Sequence, residues 1–462
     1  MQQGCCTLPA DDQGRVCDRL AGLEQVIDPK TIRQVLLDTR RVNQRSCKLT
    51  HEVVLWIVLA MGIFTDVPIR QVFKRSRFAR SGEDSPGRSS LCHARQRLGV
   101  APLRQLFLRT VRPLATLQTP GAFYQGFRLM GIDGVVFNLP DRLANEAVFG
   151  RPSGGERGDG AFPQLRKVSL VELGTHVEVA FVAKPITTGE QAAIRALLQH
   201  LPPDSLLLWD RGFFGYELWK LLNSRPLGVL ARVKSNLILR PIRKLSDGSY
   251  LAKIYPKAYD REKDRNGILL RVIRYKLDDP QRVGHEQEHV LVTNLFDEKL
   301  YPAGELIPLY HERWEEELVF DEQKTHQDPR RASKPANLRS ETPAGVMQEL
   351  YALSLAHFVT RALMFEAASA VELDPDRLSF AGCFQILQCR LPECDASSAA
   401  SLTAWYETLL WEMSCERLPP RRNRINPRVI KQKMSKWKKK RPVHFHPPPL
   451  RKSFAASVVM LN

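Results

Sequence analysis

Residues 127–139 (FRLMGIDGVVFNL) form an apolar run with Asp133 near its centre. Aspartate is depleted in β-strands and costly to bury without a partner, so its place inside a strand-like segment needs a reason. A second aspartate, Asp210, ends the apolar run 205–209. Because hard divalent cations prefer carboxylate oxygen, we interpret the two aspartates as a candidate metal site. A turn or helix start at Asp210, just before Arg211 and Gly212, is an equally simple explanation for that residue.

The segments around these aspartates alternate between strand and helix patterns. The predicted elements are a hairpin from residues 167–173 and 177–183, a helix over 190–201, a strand over 205–209 and a helix over 216–223. A strand-rich block follows, with predicted strands over 229–233, 237–240, 268–275 and 289–295. This order predicts an α/β domain that changes to mainly β-structure after the second aspartate.

A polar helix is predicted from Pro308 to about residue 327. On an ideal helix its side chains Tyr310, Arg313, Glu317 and Lys324 share a stripe about 60° wide. A carboxylate for a metal beside donors for phosphate oxygens is what phosphodiester chemistry requires. Asp321 falls near the same stripe, so helical angle does not choose between Glu317 and Asp321. A solvated helix face explains the acidic residues that lie off the stripe.

Length and charge indicate several domains and a polyanionic partner. The chain has 462 residues and a net charge of +18, and one domain holds roughly 100–200 residues. Residues 417–452 contain fourteen Lys or Arg and no Asp or Glu. We interpret this Pro-rich segment as a phosphate-binding arm, and a solvated tail is the simpler alternative.

A second basic region accompanies helices predicted over residues 51–64, 90–99 and 102–112. Its basic residues are Arg70, Lys74, Arg75, Arg77, Arg80, Arg88, Arg95 and Arg97. Short helices with a basic rim suit a module that binds duplex DNA, and a helical bundle with a polar face fits nearly as well.

Targeting signals are not evident in the sequence. The N-terminus lacks the pattern of a signal peptide, and the longest apolar stretch, residues 53–64, is shorter than the roughly 20 residues of a membrane span. The nine cysteines are scattered and lack zinc-site spacing. We therefore expect a reduced, cytoplasmic protein that does not contact a membrane.

Several segments together resemble the insertion sequence four family of bacterial DDE transposases. Tyr310, Arg313, Glu317 and Lys324 match its Tyr-Arg-Glu-Lys signature in residue type and spacing. The stretch from Asp133-Gly134 to Phe149-Gly150 is similar to the family's first-aspartate segment. Trp209 to Phe213 is similar to its second-aspartate motif, and residues 90–99 to the end of its N-terminal domain. The similarity covers roughly residues 48–440.

The resemblance implies a ribonuclease H-like α/β catalytic core over residues 118–340, with a β-rich insertion at about 228–303. It also implies a helical N-terminal DNA-binding domain over 1–117 and a helical C-terminal region over 341–415, which leaves a basic Pro-rich tail over 416–462. The insertion would account for the separation of 107 positions from Asp210 to Glu317.

The same resemblance assigns roles to site residues and selects Glu317 over Asp321. Asp133, Asp210 and Glu317 are expected to hold two Mg²⁺ ions, with Mn²⁺ as a substitute, for attack of water and later of a DNA 3′-hydroxyl on phosphorus. The expected phosphate contacts are Tyr310, Arg313, Lys324 and Arg211. Trp314 is a candidate to support a base turned out of the helix in a DNA hairpin intermediate, although its position also suits ordinary helix packing, and Arg211 is equally explained as a partner of Asp210.

The expected activity is cut-and-paste transposition by a homodimer in a synaptic complex. Its DNA partners would be the terminal inverted repeats and the target, in the bacterial cytoplasm near the nucleoid. Two alternatives stay open: a catalytically silent DNA-binding regulator derived from a transposase, and a structure-selective nuclease that cuts but never joins strands.

Overall fold

The computed structural model describes residues 18–43, 47–77, 85–153, 160–234, 237–279, 287–329, 334, 336–419 and 450–461. The chain divides into two compact units. The helical unit comprises Met1–Arg112, Phe137–Gln164 and Asp321–Arg417, and the sheet unit comprises Pro113–Val136, Leu165–Phe320 and Leu418–Asn462. Both units therefore combine segments that are distant in the sequence.

The helical unit is built mainly from α-helices. They are α1 (Pro29–Asp38), α2 (His51–Ile63), α3 (Ile69–Arg75), α4 (Arg88–Leu98), α5 (Ala101–Thr110), α6 (Leu143–Phe149), and, later in the chain, α12 (Pro343–Ser369), α13 (Phe380–Arg390) and α14 (Ala399–Cys415). Short 3₁₀ turns cover Asp18–Gln25, Pro375–Arg377 and Leu391–Glu393. Three of the helices, α2, α4 and α5, confirm those predicted near the N-terminus.

Helix α2 is apolar on every side, which is typical of a helix enclosed by others. The Thr50 side chain accepts a hydrogen bond from the Val53 N–H at 3.3 Å and so caps the first turn. Its main partner is α12, and Gly62 makes their close approach possible, since a Cβ there would lie 2.1 Å from the Ala352 carbonyl oxygen. These two helices form the centre of the helical unit.

The sheet unit contains an eleven-stranded sheet in the order β4-β3-β2-β5-β6-β10-β9-β8-β7, with β1 paired to β2 and β11 paired to β9. The strands are β1 (Phe123–Tyr124), β2 (Phe127–Asn138), β3 (Gln164–Glu172), β4 (Val177–Pro185), β5 (Ser205–Trp209), β6 (Gly228–Arg232), β7 (Arg243–Lys244), β8 (Tyr250–Ile254), β9 (Ile268–Leu277), β10 (His289–Thr293) and β11 (Val458–Met460). The pairs β2–β5 and β5–β6 are parallel, and the pairs β1–β2, β3–β4, β6–β10, β9–β10, β8–β9, β7–β8 and β9–β11 are antiparallel. The sequence-based prediction of a mixed α/β unit is confirmed at this level.

Helices cover the sheet unit. They are α7 (Glu190–Leu197), α8 (Tyr216–Asn223), α9 (Ala258–Glu262), α10 (Ala303–His311), α11 (Glu315–Asp321) and α15 (Phe454–Ser457), with 3₁₀ turns at Leu198–His200 and Glu312–Trp314. One buried cluster joins strands to α7 and α8, and a second joins strands to α10, Val319 and Phe454. The central strands are therefore buried on both faces, which explains why they are continuous apolar runs rather than alternating ones.

Two sequence-based element predictions are wrong. Residues 237–240 are not a strand. The predicted helix from Pro308 is instead α10, a 3₁₀ turn, α11 and a π-helical turn over Glu322–His326, and α10 begins at Ala303. Pro308 lies inside α10. Its missing N–H removes one helical hydrogen bond, and the burial of Leu306 and Ile307 in the second cluster offsets that loss.

The basic segment lies largely outside the described residues, since 420–449 are not among them. The last described residues, however, belong to the sheet unit. Strand β11 pairs with β9, and Lys452 donates to Asp278 at 2.6 Å. No helix in the described part of the chain is both long and apolar enough to cross a membrane.

Candidate active site

Two of the predicted carboxylates lie side by side on neighbouring parallel strands, Asp133 inside β2 and Asp210 directly after the end of β5. Ile132 of β2 pairs with Trp209 of β5, and Asp133 and Asp210 each follow directly. Neighbouring parallel strands lie about 4.8 Å apart. Because Asp133 and Asp210 each follow one residue of a paired couple, the two side chains lie next to each other. The sequence associated each aspartate with a strand. The pairing of β2 with β5 brings the two residues together.

Glu317 reaches this site from α11. Arg313 links it to Asp133, because one guanidinium nitrogen lies 3.6 Å from Asp133 Oδ2 and the other lies 3.9 Å from Glu317 Oε1. The Arg313 side chain is 8% exposed and that of Asp133 is 24% exposed, so water screens the contact with Asp133 less than the contact with Glu317. Glu317 itself is 40% exposed. Asp133, Arg313 and Glu317 thus form one ionic cluster.

The electrostatics of Asp133 reflect a crowded acidic site. Burial raises the pKa of Asp133 to about 6. Arg313 and the Gly134 N–H, which donates to Asp133 Oδ1 at 2.8 Å, lower this pKa, while the carboxylates of Glu317 and Asp210 raise it further. The three carboxylates therefore repel one another, a condition that a bound cation would relieve.

One carboxylate oxygen of Asp210 accepts no hydrogen bond from the described residues. Its Oδ1 is buried and has no hydrogen-bond partner among the residues that the structure describes. Arg211 is exposed and lines a surface pocket with Arg232, Val233, Gln287 and Glu288. An unpartnered buried carboxylate oxygen beside two other carboxylates fits a hard divalent cation, which takes oxygen ligands.

Tyr310 is buried on α10. Its hydroxyl donates to the Trp209 carbonyl oxygen at 3.1 Å, and Arg313 lies 5.9 Å from its ring centre. Burial raises the pKa of the phenol, so it stays protonated and donates. The structure thus brings Tyr310 and Arg313 to the carboxylates.

Two further predicted site residues are Lys324 and Trp314. Lys324 belongs to the helical unit, where its ammonium lies 5.5 Å from the ring centre of Phe137 and burial lowers its pKa. The Trp314 side chain lies outside the described residues. The π-helical turn that carries Lys324 is fixed by Glu322, which pairs with Arg361 and, at 2.9 Å, with His357.

Some basic residues of the N-terminal region are structural. The Arg95 guanidinium donates to Gln348 at 2.7 Å and to the Gly345 carbonyl at 2.5 Å, and burial lowers its pKa. Arg75 pairs with Asp66 at 3.6 Å. Among the described members of the set, Arg70, Lys74, Arg88 and Arg97 are exposed, and Arg80 lies outside the described residues. A polyanion would therefore meet only part of the predicted basic rim.

His176, which was not among the residues predicted from the sequence, contacts α11. Its Nε2 lies 2.7 Å from Glu315 Oε2, and its side chain is fully buried. The only local signal is a polar residue in the turn between two apolar strands, which is too common to single it out.

Two carboxylates on neighbouring strands of a mixed sheet and a third on a helix form an arrangement that suits metal-assisted chemistry on phosphodiesters. Residues 128–359 match the family described as transposase DDE domain, and residues 18–108 match the insertion element 4 transposase N-terminal domain. The chain belongs to the insertion element 4 family of DDE transposases, and it is a transposase.

Two individual proteins are similar to this chain. The chain is 28% identical over 430 residues to the transposase InsG for insertion sequence element IS4 of Escherichia coli (strain K12), which spans 90% of this chain and 93% of InsG. A piggyBac transposase, solved as a synaptic complex with hairpin DNA, is similar with a TM-score of 0.45 and 12% identity, covering 86% of this chain and 85% of that one.

Proposed function

We propose that this transposase binds the terminal inverted repeats of its own element and moves the element by cleavage and strand transfer on a ribonuclease H-like core. Asp133, Asp210 and Glu317 would hold two Mg²⁺ ions, with Mn²⁺ as a substitute. The observation that carries the proposal is the meeting of these three carboxylates, with a raised pKa at Asp133 and an unpartnered oxygen at Asp210. When bound, the ions would activate the attacking oxygen and stabilise the leaving oxygen.

The protein's own groups then orient the reaction. Asp133 and Asp210 are set by adjacent parallel strands, and Glu317 is brought to them by α11. Tyr310 holds the strand that ends at Asp210 through the Trp209 carbonyl. These restraints fix the carboxylates before DNA arrives, and such preorganisation lowers the cost of reaching the reactive geometry.

Phosphate contacts would come from the arginines and the lysine. Arg313 lies between Asp133 and Glu317, and its planar guanidinium can fork two phosphate oxygens once cations neutralise those carboxylates. Arg211 is exposed beside Asp210 in the chain, which suits it to a phosphate of the DNA end. Lys324 would add a third cation. Release of counterions by such contacts makes DNA affinity depend on salt.

A homodimer would pair the two element ends, and excision would pass through a DNA hairpin supported by Trp314. The reaction test uses linear DNA that carries both ends, purified full-length protein and Mg²⁺, with products resolved on denaturing gels. Wild type is expected to cut at the ends, to yield a hairpin and to join the ends to a second DNA. Native gels with ends of two different lengths report whether one complex holds both.

Variants place the metal site. Asp210→Asn and Glu317→Gln are expected to bind end DNA yet not cut it. Asp321→Asn is the matched control, since Asp321 lies on the same helix and is exposed; it should cut normally. If Asp321→Asn fails to cut the DNA while Glu317→Gln still cuts it, the third metal ligand is Asp321 and not Glu317. If wild type cuts the DNA but does not join it, the alternative of a structure-selective nuclease is favoured. If wild type binds the DNA but does not cut it, the alternative of a catalytically silent regulator is favoured.

A further inference from the structure

The turn between β3 and β4 carries a histidine that contacts the helix of Glu317. The His176 Nε2 lies 2.7 Å from Glu315 Oε2, with the imidazole fully buried and Glu315 14% exposed. Glu315 is the first residue of α11, and Glu317 lies two positions later. A restraint on Glu315 therefore acts directly on the backbone that presents Glu317.

The base of this turn is held by a buried carboxylate. Glu172, at the end of β3, accepts hydrogen bonds from the N–H groups of Leu114 at 2.8 Å and Ala115 at 3.0 Å. It also pairs with the Arg128 guanidinium and accepts a hydrogen bond from the Thr175 hydroxyl. Since a buried charge with several donors is held firmly, Glu172 anchors the turn to the segments before β2.

Close packing and backbone geometry restrict the turn further. A Cβ at Gly174 would lie 2.4 Å from the Ala122 Cβ, so the chain passes too close for any larger residue. His176 has a φ of +57°, a left-handed conformation that residues other than glycine adopt at a cost. The unfavourable backbone conformation occurs at the residue whose ring contacts α11. This indicates that the conformation serves to direct the ring toward α11.

The helix needs such a restraint because it is interrupted just before Glu317. A 3₁₀ turn, Glu312–Trp314, separates α10 from α11. Hydrogen-bond geometry is poorer in 3₁₀ turns than in α-helices, so α10 alone does not fix the direction of α11. The contact from His176 acts at the first residue after the interruption.

We propose that His176 is a positioning residue for DNA cleavage: through Glu315 it sets the start of α11 and hence the place of Glu317 relative to Asp133 and Asp210. His176 would act through Glu315 and not as a metal ligand itself. The inference rests on the proposed role of Glu317 as a metal ligand. It predicts that loss of the contact harms metal use and the cleavage step, and leaves the binding of end DNA intact.

The test compares His176→Asn with His176→Gln in the full-length protein. Asparagine tolerates the left-handed backbone but is too short to reach Glu315, whereas the glutamine amide extends to about the position of Nε2. His176→Asn should lower the single-turnover cleavage rate by about 10- to 100-fold, the usual effect of losing a group that orients a metal ligand. It should also raise the Mg²⁺ concentration for half-maximal rate, with an unchanged Kd for end DNA, and His176→Gln should restore much of the rate.

A control in the same hairpin separates positioning from general destabilisation. Ser169→Ala removes the hydroxyl that donates to Glu178 at 2.5 Å, a buried contact that does not involve α11. At a temperature below the unfolding midpoint of every variant, Ser169→Ala should cleave like wild type. Equal rate losses in Ser169→Ala and His176→Asn would overturn the proposal, as would a wild-type rate and Mg²⁺ requirement in His176→Asn.

A double-mutant cycle adds a readout that does not depend on folding yield. If His176 acts through Glu315, His176→Asn and Glu315→Gln should not be additive, and the double variant should be no slower than the slower single variant. Additive losses would reject the route through Glu315. Glu317→Gln is assayed alongside: its retention of cleavage would refute the proposed function, whereas an inactive Glu317→Gln beside a fully active His176→Asn would refute only this inference.

Discussion

The Tyr310 hydroxyl donates a hydrogen bond to the carbonyl oxygen of Trp209 at a distance of 3.1 Å. Trp209 is the last residue of β5 and directly precedes Asp210, while Tyr310 lies on α10 ahead of Glu317. This bond therefore connects the helical segment that leads to one carboxylate with the strand that leads to another. Burial raises the pKa of the phenol, which keeps the donor proton in place.

Tyr310→Phe should lower the free energy of unfolding by about 1 kcal/mol, the usual net value of one hydrogen bond. Cleavage should slow, because Asp210 and Glu317 lose a shared restraint, and the Kd for end DNA should stay the same. Urea denaturation, single-turnover cleavage and a binding titration measure the three quantities. Tyr216→Phe is the control, since its hydroxyl donates to the Asn266 carbonyl at 2.8 Å, outside this helix. Weaker DNA binding with unchanged stability would instead support a phosphate contact by Tyr310.

Asp133 makes the stability of the metal-free protein depend on pH. Its pKa rises from 3.8 to about 6 on folding, so the folded state holds the proton more tightly than the unfolded state. The resulting stability is fully present below pH 4 and is lost as the pH rises through about 6. The loss is on the order of 3 kcal/mol at full ionisation, at about 1.4 kcal/mol per pKa unit.

Asp133→Asn, which cannot ionise, isolates this effect. The stability of the variant relative to wild type should increase between pH 4 and pH 7 in the presence of a chelator. With saturating Mg²⁺ at pH 7, wild type should instead be more stable than Asp133→Asn, because only wild type is stabilised by binding the cation through Asp133. Denaturation curves at several pH values, with and without Mg²⁺, test both statements. A pH-independent difference would show that Asp133 ionises normally in the folded protein.

The buried ion pair of the β3–β4 hairpin gives a third prediction. The Lys167 ammonium lies 2.7 Å from Glu178 Oε1, and both side chains are almost completely buried. Lys167→Ala should lower the free energy of unfolding by about 3–5 kcal/mol, because it leaves an uncompensated buried charge. The double variant Lys167→Met with Glu178→Leu should recover most of that loss. A double variant no more stable than Lys167→Ala would show that the pair itself stabilises the hairpin.

Elements whose pattern is complete within one short stretch of sequence were predicted correctly. Strand 205–209 and helix 216–223 have the predicted bounds, because a short apolar strand and an amphipathic helix are visible without their neighbours. The placement of Asp133 within one apolar run and of Asp210 at the end of another was also visible. Their adjacency depends on the pairing of β2 with β5, which no local pattern encodes.

The features that the sequence did not predict depend on contacts between distant residues. His176 and Glu315 are 139 positions apart, and nothing near either residue announces the contact. The true start of α10 depends on packing of Leu306 and Ile307 against the sheet, which outweighs the helix-breaking tendency of Pro308. Helical angle left Glu317 and Asp321 equivalent; Arg313 contacts Glu317 in the structure, and the choice of Glu317 as the metal ligand stays a prediction.

The end of the chain provides the last prediction. Phe454 is buried in the cluster beneath the sheet and stacks on His311, with ring centres 4.4 Å apart, and β11 then pairs with β9. His311 directly follows Tyr310, so this packing supports the same end of α10 that holds the Trp209 carbonyl. Phe454→Ala should therefore lower the free energy of unfolding by about 3–5 kcal/mol and slow cleavage.

Leu450→Ala is the matched control, because Leu450 is 40% exposed and its truncation should change stability by at most about 0.5 kcal/mol. Hydrogen exchange on β9 gives a local readout. Faster exchange in Phe454→Ala and unchanged exchange in Leu450→Ala are expected if β11 protects this strand. Wild-type stability, exchange and cleavage in Phe454→Ala would mean that the last residues contribute little to the sheet unit, and that α10 is held by the remaining cluster alone.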